Sequence, residues 1–174
     1  MDLTETNDAK KMSDLEALET IYVEVAKRFQ YESERTKHLD DKASNIIGFV
    51  GIITGLISTI GGFLLGMPQT PFEIFAAVLF FDVLILLVIS FVCGLAAYHI
   101  KKFTVVPDAY FLIGAYEKED KERVLRDLND NYAVAIEENL KLNDKKVEYV
   151  KSAMYALFVG ILLVPFFVLL TMLG

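Results

Sequence analysis

Apolar residues are distributed along this chain in two regimes. Up to Ala43 they are sparse and periodic, and after Asn45 they come in long unbroken runs. Leu15, Leu18, Tyr22, Val25 and Phe29 are spaced 3, 4, 3 and 4, which draws one stripe along a helix. Ser13 followed by Glu16 fits a capping box, so the spacing predicts a helix over 13–45. Residues 1–12 are polar, acidic and without periodicity, and are expected to be disordered. Two readings of what covers the stripe weigh equally: the chain's own second long helix, or a neighbouring subunit.

Residues 46–66 carry no charge. At helical rise such a run reaches about 31 Å, enough to cross a bilayer. A second run covers 74–100 and is interrupted by Asp82, and a third covers 152–173. A short turn, Met67 to Phe72 with two prolines, makes the first two runs a tight hairpin. Residues 103–116 are apolar but too short to span, and with Pro107 and Gly114 they read as an interfacial loop. Residues 117–151 read as a second polar helix with a rough stripe (Leu125, Leu128, Tyr132, Ala135 or Ile136, Leu142, Val150) that Asn139 interrupts. No Gly or Pro occurs from Glu117 to Val159, so this helix is expected to run directly into the third span. The predicted fold is all-α: a polytopic membrane protein with three transmembrane helices and two long cytoplasmic helical extensions.

Composition narrows the class. A mean hydropathy of +0.41 together with 24% charged residues suits a chain in which the two are segregated, not a soluble globular enzyme. The net charge is 17 − 24 = −7, with no strongly basic segment, which argues against nucleic acid as a partner. The single Cys93 excludes a disulfide framework and a cysteine-ligated zinc site. Of the 17 basic residues, seven precede the first span and ten lie between the second and third. The hairpin tip and the C-terminus carry none, so the N-terminus and middle segment are expected in the cytoplasm and the C-terminus outside.

Small residues recur on the spans. Ser44, Gly48, Gly51, Gly55, Ser58 and Gly62 are spaced 4, 3, 4, 3 and 4, which places all six on one face of the first. Ser90, Gly94 and Ala97 mark the second, and Ser152, Ala156 and Gly160 the third. Lipid gives no hydrophobic drive for helix association, so such faces mark close backbone approach. Three of them exceed what one protomer is expected to need, which predicts a homo-oligomer. Pro165 in the third span is a hinge candidate, with a static bend as the plainer reading.

Asp82 is the one acidic residue inside a span, and an ionised carboxylate there costs a few kcal/mol at least. It pairs, faces water or stays protonated. A pore-lining or proton-linked role and a protonated packing role, bonded to Thr54, Ser58, Thr59 or a carbonyl, weigh equally. His99 with Tyr98, Lys101 and Lys102 reads as an interfacial anchor, His38 and the basic cluster around Arg123 and Arg126 as solvated helix faces, and Cys93 as inert packing. No nucleophile–base pair, phosphate-binding loop or metal motif occurs, so neither catalysis nor a metal nor a cofactor is expected.

The run His38-Leu39-Asp40-Asp41-Lys42-Ala43-Ser44 leads directly into the first span. It resembles the juxtamembrane D-x-K-A motif of small prokaryotic transmembrane effectors of the Pycsar and SLATT groups, with Asp40, Lys42 and Ala43 at the matching positions. Asn139, Leu142, Lys145, Lys146, Tyr149, Val150 and Ala153 are similar to the helix that leads into the family's last span. The resemblance implies an oligomer that damages or permeabilises the membrane when infection is sensed in nucleotide-signalled antiphage defence. The chain departs from that pattern in having no recognisable nucleotide-binding module, so a nucleotide signal and a cytoplasmic protein partner both stand as triggers. The expected function is therefore an oligomeric membrane-disrupting or pore-forming effector of prokaryotic antiviral defence. An accessory or scaffold subunit of a larger membrane complex and a small ion channel using Asp82 are the alternatives.

Overall fold

The computed structural model describes residues 3–65, 70–100, 103–105, 114 and 120–173, with side chains from Lys10 onward. The described residues form three helices: α1 (Leu3–Leu64), α2 (Pro71–His99) and α3 (Lys121–Leu173). Each contains a stretch long and apolar enough to cross a membrane. α1 begins at Leu3 and runs through Ser13, so the Ser13/Glu16 capping box does not start it. No Gly or Pro stands between Leu3 and Ile47 to stop the helix. α2 does start on a capping box. The Thr70 hydroxyl accepts from the Glu73 amide at 3.2 Å, and the Glu73 carboxylate accepts from the Thr70 amide at 3.0 Å, with Pro71 opening the helix. α3 carries the polar helix and the third apolar run without a break and continues past Pro165 to Leu173. The expected turn at 67–72 is described only from Thr70. Most of the expected interfacial segment 103–116 lies outside the described residues.

The chain divides into two compact units. One comprises Met1–Thr36 and Lys102–Asn143. In it the α1 stripe packs against the chain's own α3, which covers Leu15, Leu18, Tyr22, Val25 and Phe29 in part. Tyr22 packs edge-on to Tyr132 with ring centroids 5.7 Å apart, and Phe29 meets both Tyr132 and Phe103. Val124, Leu125, Leu128, Ala135 and Ile136 are buried on the α3 side. Three buried asparagines supply directional contacts. Asn129 donates to the Leu18 carbonyl at 3.2 Å. Asn143 donates to both the backbone carbonyl and the carboxylate of Glu32 and accepts from the Thr36 hydroxyl at 2.8 Å. Asn139 does not interrupt the α3 stripe, because it lies on it, fully buried, holding the Thr104 amide and carbonyl at 2.8 and 3.1 Å. An amide side chain can satisfy one backbone donor and one acceptor at once, which makes it worth burying beside an irregular segment.

The other unit comprises Lys37–Lys101 and Asp144–Gly174. Its core is built from Leu39, Ala43, Ile46, Val50 and Ile57 of α1, Ala76, Phe80, Val83, Leu87 and Ala97 of α2, and Val150, Ala153 and Phe167 of α3. Phe80 stacks obliquely on Phe167 at 5.5 Å. The remaining faces of these segments are apolar and exposed, Phe49, Phe81, Ile85, Phe158 and Phe166 among them. An outward-facing apolar surface around a thin core is what a bilayer solvates and water does not.

Candidate functional site

The candidate functional surface of a chain with three such helices is the set of faces it offers to lipid or to another chain. The three small-residue faces part company here. On α2, Ser90 and Gly94 are buried within the protomer. The Ser90 hydroxyl donates to the Ala153 carbonyl at 2.8 Å, and Gly94 lies against Ile47 and Ile46. A Cβ on Gly94 would meet Ile47 at 3.1 Å, so glycine permits that approach. On α3, Ala156 is buried and Gly160 lies against Leu86 and Leu87. The α2 face is taken up by packing inside one chain, and so is the α3 face except at Ser152, which is exposed.

The α1 face is not. Ser44, Gly48, Gly51, Gly55, Ser58 and Gly62 are all exposed, and a Cβ added at any of the four glycines meets nothing within 4 Å. The glycine that α1 uses internally is Gly61, which lies flat against the Phe80 ring. Sequence reasoning missed Gly61 because it breaks the 4, 3 spacing of its neighbours.

Asp82 is exposed on α2 and makes no hydrogen bond or ion pair with a described residue. It lies eleven residues from the start of α2 at Pro71, about 16 Å along the axis. α1 and α2 run antiparallel with Gly61 beside Phe80 and Ile47 beside Gly94, and in that register Asp82 is level with Thr59, next to Ser58. Thr59 is engaged with its own helix, donating to the Gly55 carbonyl at 2.9 Å. The carboxylate thus stays without the hydroxyl partner expected for a packing role inside one chain.

The juxtamembrane motif divides by role. Ala43 is fully buried, its carbonyl facing Gly94. Asp40 accepts from the Lys146 ammonium at 2.6 Å. Lys42 is exposed and makes no ion pair with a described residue. On α3, Asn139, Lys146, Val150 and Ala153 are buried and share one face. That face explains much of the second resemblance, since those positions point inward, whereas Lys145 and Tyr149 are exposed.

His38 and His99 are exposed and Cys93 is half-buried. Among the described residues no three His, Cys, Asp or Glu side chains converge to hold a metal. Outside the apolar segments, burial and then the neighbouring Tyr22 phenol push the Tyr132 hydroxyl above its ordinary pKa. Pairing with Lys141 holds the exposed Glu137 below the usual carboxylate range.

The Pycsar effector protein domain model matches residues 25–173. The chain belongs to the Pycsar effector family. Neither a curated protein nor a solved structure matches it. The match takes in all three apolar segments and both halves of the Asp40–Lys146 pair. Membership with three such helices makes this Pycsar effector a membrane protein of antiviral defence.

Proposed function

We propose that this Pycsar effector acts by self-association in the membrane, opening a path through it when infection is signalled. The observation that carries the reading is the unpartnered small-residue face of α1. Glycines cost helix stability and repay it where another group approaches closely, and no described residue of the protomer does so at this face. Asp82 adds to this. A carboxylate about 16 Å into a span is stable where it meets water or a polar group of another copy. An oligomer whose lumen collects Asp82 from each subunit satisfies that demand and favours cations.

In this reading the N-terminal and middle helical segments lie in the cytoplasm, where the basic residues concentrate, and the C-terminus lies outside. The chain performs no catalysis. The trigger, a nucleotide signal or a partner protein that carries it, acts on the polar unit. The test is the mass of the protein–detergent particle by light scattering, followed by dye and ion leakage from liposomes. A multiple of 19.6 kDa with leakage supports the reading. A monomer that leaves liposomes sealed in the presence of its trigger overturns it.

A further inference from the structure

An open groove of about 430 Å³ runs between α1 and α3, lined by Lys42, Asn45 and Phe49 on one wall and Met154, Phe158 and Ile161 on the other. Its volume is that of a ligand pocket. Its polarity is one-sided. Lys42 and Asn45 stand at one end, and every other lining residue is apolar. Lys42 is the last charged residue before the first span, and Lys151 the last before the third. Lys151 does not line the groove itself, but it precedes Met154 by three residues and Phe158 by seven, which puts it on their helix face one turn before the groove begins on α3. Neither lysine makes an ion pair with a described residue. In the same juxtamembrane run Ala43 is buried and Asp40 is paired with Lys146, which leaves Lys42 as the cation directed to the surface.

From this we infer that the groove binds one membrane phospholipid with an anionic headgroup, its acyl chain between Phe49 and Phe158 and its phosphate at Lys42 and Lys151. A basic end on an apolar inter-helix groove at headgroup depth is complementary to such a lipid. A second copy of the chain suits the groove poorly. Phe49, Met154 and Phe158 are 60%, 55% and 62% exposed, and such bulk holds another helix backbone away. The small residues that admit a helix lie elsewhere on α1, since Gly51 is two residues and so about 200° of turn from Phe49. The inference requires that the spans cross a bilayer. It does not require a pore.

The test is native mass spectrometry of the full chain, delipidated in detergent and offered phosphatidylglycerol and phosphatidylcholine of identical acyl chains at equal concentration. Phosphatidylglycerol is expected to be retained at least about fivefold over phosphatidylcholine. Lys42→Gln and Lys151→Gln are each expected to lower its retention about fivefold and leave phosphatidylcholine unchanged. Met154→Trp, which fills the groove, lowers both. Equal retention of the two lipids, or phosphatidylglycerol retention unmoved by Lys42→Gln, overturns the proposal. So does an efficient disulfide between two Phe158→Cys copies in a Cys93→Ser background, because a second chain then covers the groove. Retention is read without conductance, so its failure is distinguishable from failure of the pore reading.

Discussion

Lys146 lies 2.6 Å from Asp40, and the lysine is 2% exposed while the aspartate side chain keeps 33% of its surface. The pair is asymmetric: water reaches the carboxylate and does not reach the ammonium. Removing either partner therefore has unequal consequences. Asp40→Ala strands a buried cation and is expected to cost about 3–5 kcal/mol. Lys146→Met removes the buried charge itself and leaves Asp40 to water, so it is expected to cost about 1 kcal/mol or less. Thermal unfolding of the two variants in detergent measures the difference, and equal shifts in Tm would show that the asymmetry has no energetic weight.

The glycines of α1 separate into one with a protomer role and several without. Gly61→Ala pushes a methyl into the Phe80 ring, which sits between Phe81 and Phe167 and has little room to turn. Overpacking of that kind costs about 1–3 kcal/mol. A Cβ at Gly55 meets nothing within 4 Å, so Gly55→Leu is expected to keep its helicity and Tm as a monomer. Its effect is expected in particle size alone, as a shift of the detergent-solubilised protein toward one copy. Unfolding of Gly55→Leu at the temperature where Gly61→Ala unfolds would place the two glycines in the same environment.

The architecture was largely legible because its signals are long. Three uncharged or nearly uncharged runs and a 3, 4 stripe survive any local error in spacing. The small-residue pattern was legible as packing but not as an assignment, since spacing fixes a common face and not what lies opposite it. Ser90, Gly94 and Gly160 met neighbours in their own chain, while Gly48, Gly51 and Gly55 met none. Buried polar residues were the least legible. Asn139 reads as a fault in an apolar stripe until its partner, the Thr104 backbone, is in view. Lys146 has a lysine on its N-terminal side with the same local composition, and burial separates it from Lys145 only through the Asp40 contact across the helix pair.

Asn139→Ala tests the amide clamp. The substitution removes the acceptor of the Thr104 N–H and the donor to its carbonyl, and Thr104 is itself half-buried. Unsatisfied buried groups of that kind cost about 1–3 kcal/mol. The Thr104 amide is expected to lose its protection from hydrogen exchange while amides in the second half of α3 keep theirs. Protection at Thr104 that survives the substitution would mean that another group holds this segment.

Asp82→Asn is the variant on which the pore reading turns. The amide keeps the size and most of the hydrogen-bonding capacity of the carboxyl, so helix packing is expected to persist and the particle mass to stay unchanged. What it removes is the negative charge, and with it the electrostatic preference of a lumen for cations. In liposomes holding a salt gradient the reversal potential is expected to move toward zero, with dye leakage altered less than selectivity. Because Asp82 is level with Ser58 and Thr59 and has no described partner in its own chain, Ser58→Ala provides the contrast. If the carboxyl instead bonds the Ser58 hydroxyl of a neighbouring copy, Ser58→Ala reduces particle mass, while Asp82→Asn, whose amide still bonds that hydroxyl, leaves both mass and selectivity alone. A shift in selectivity at constant mass is the outcome that places Asp82 against water.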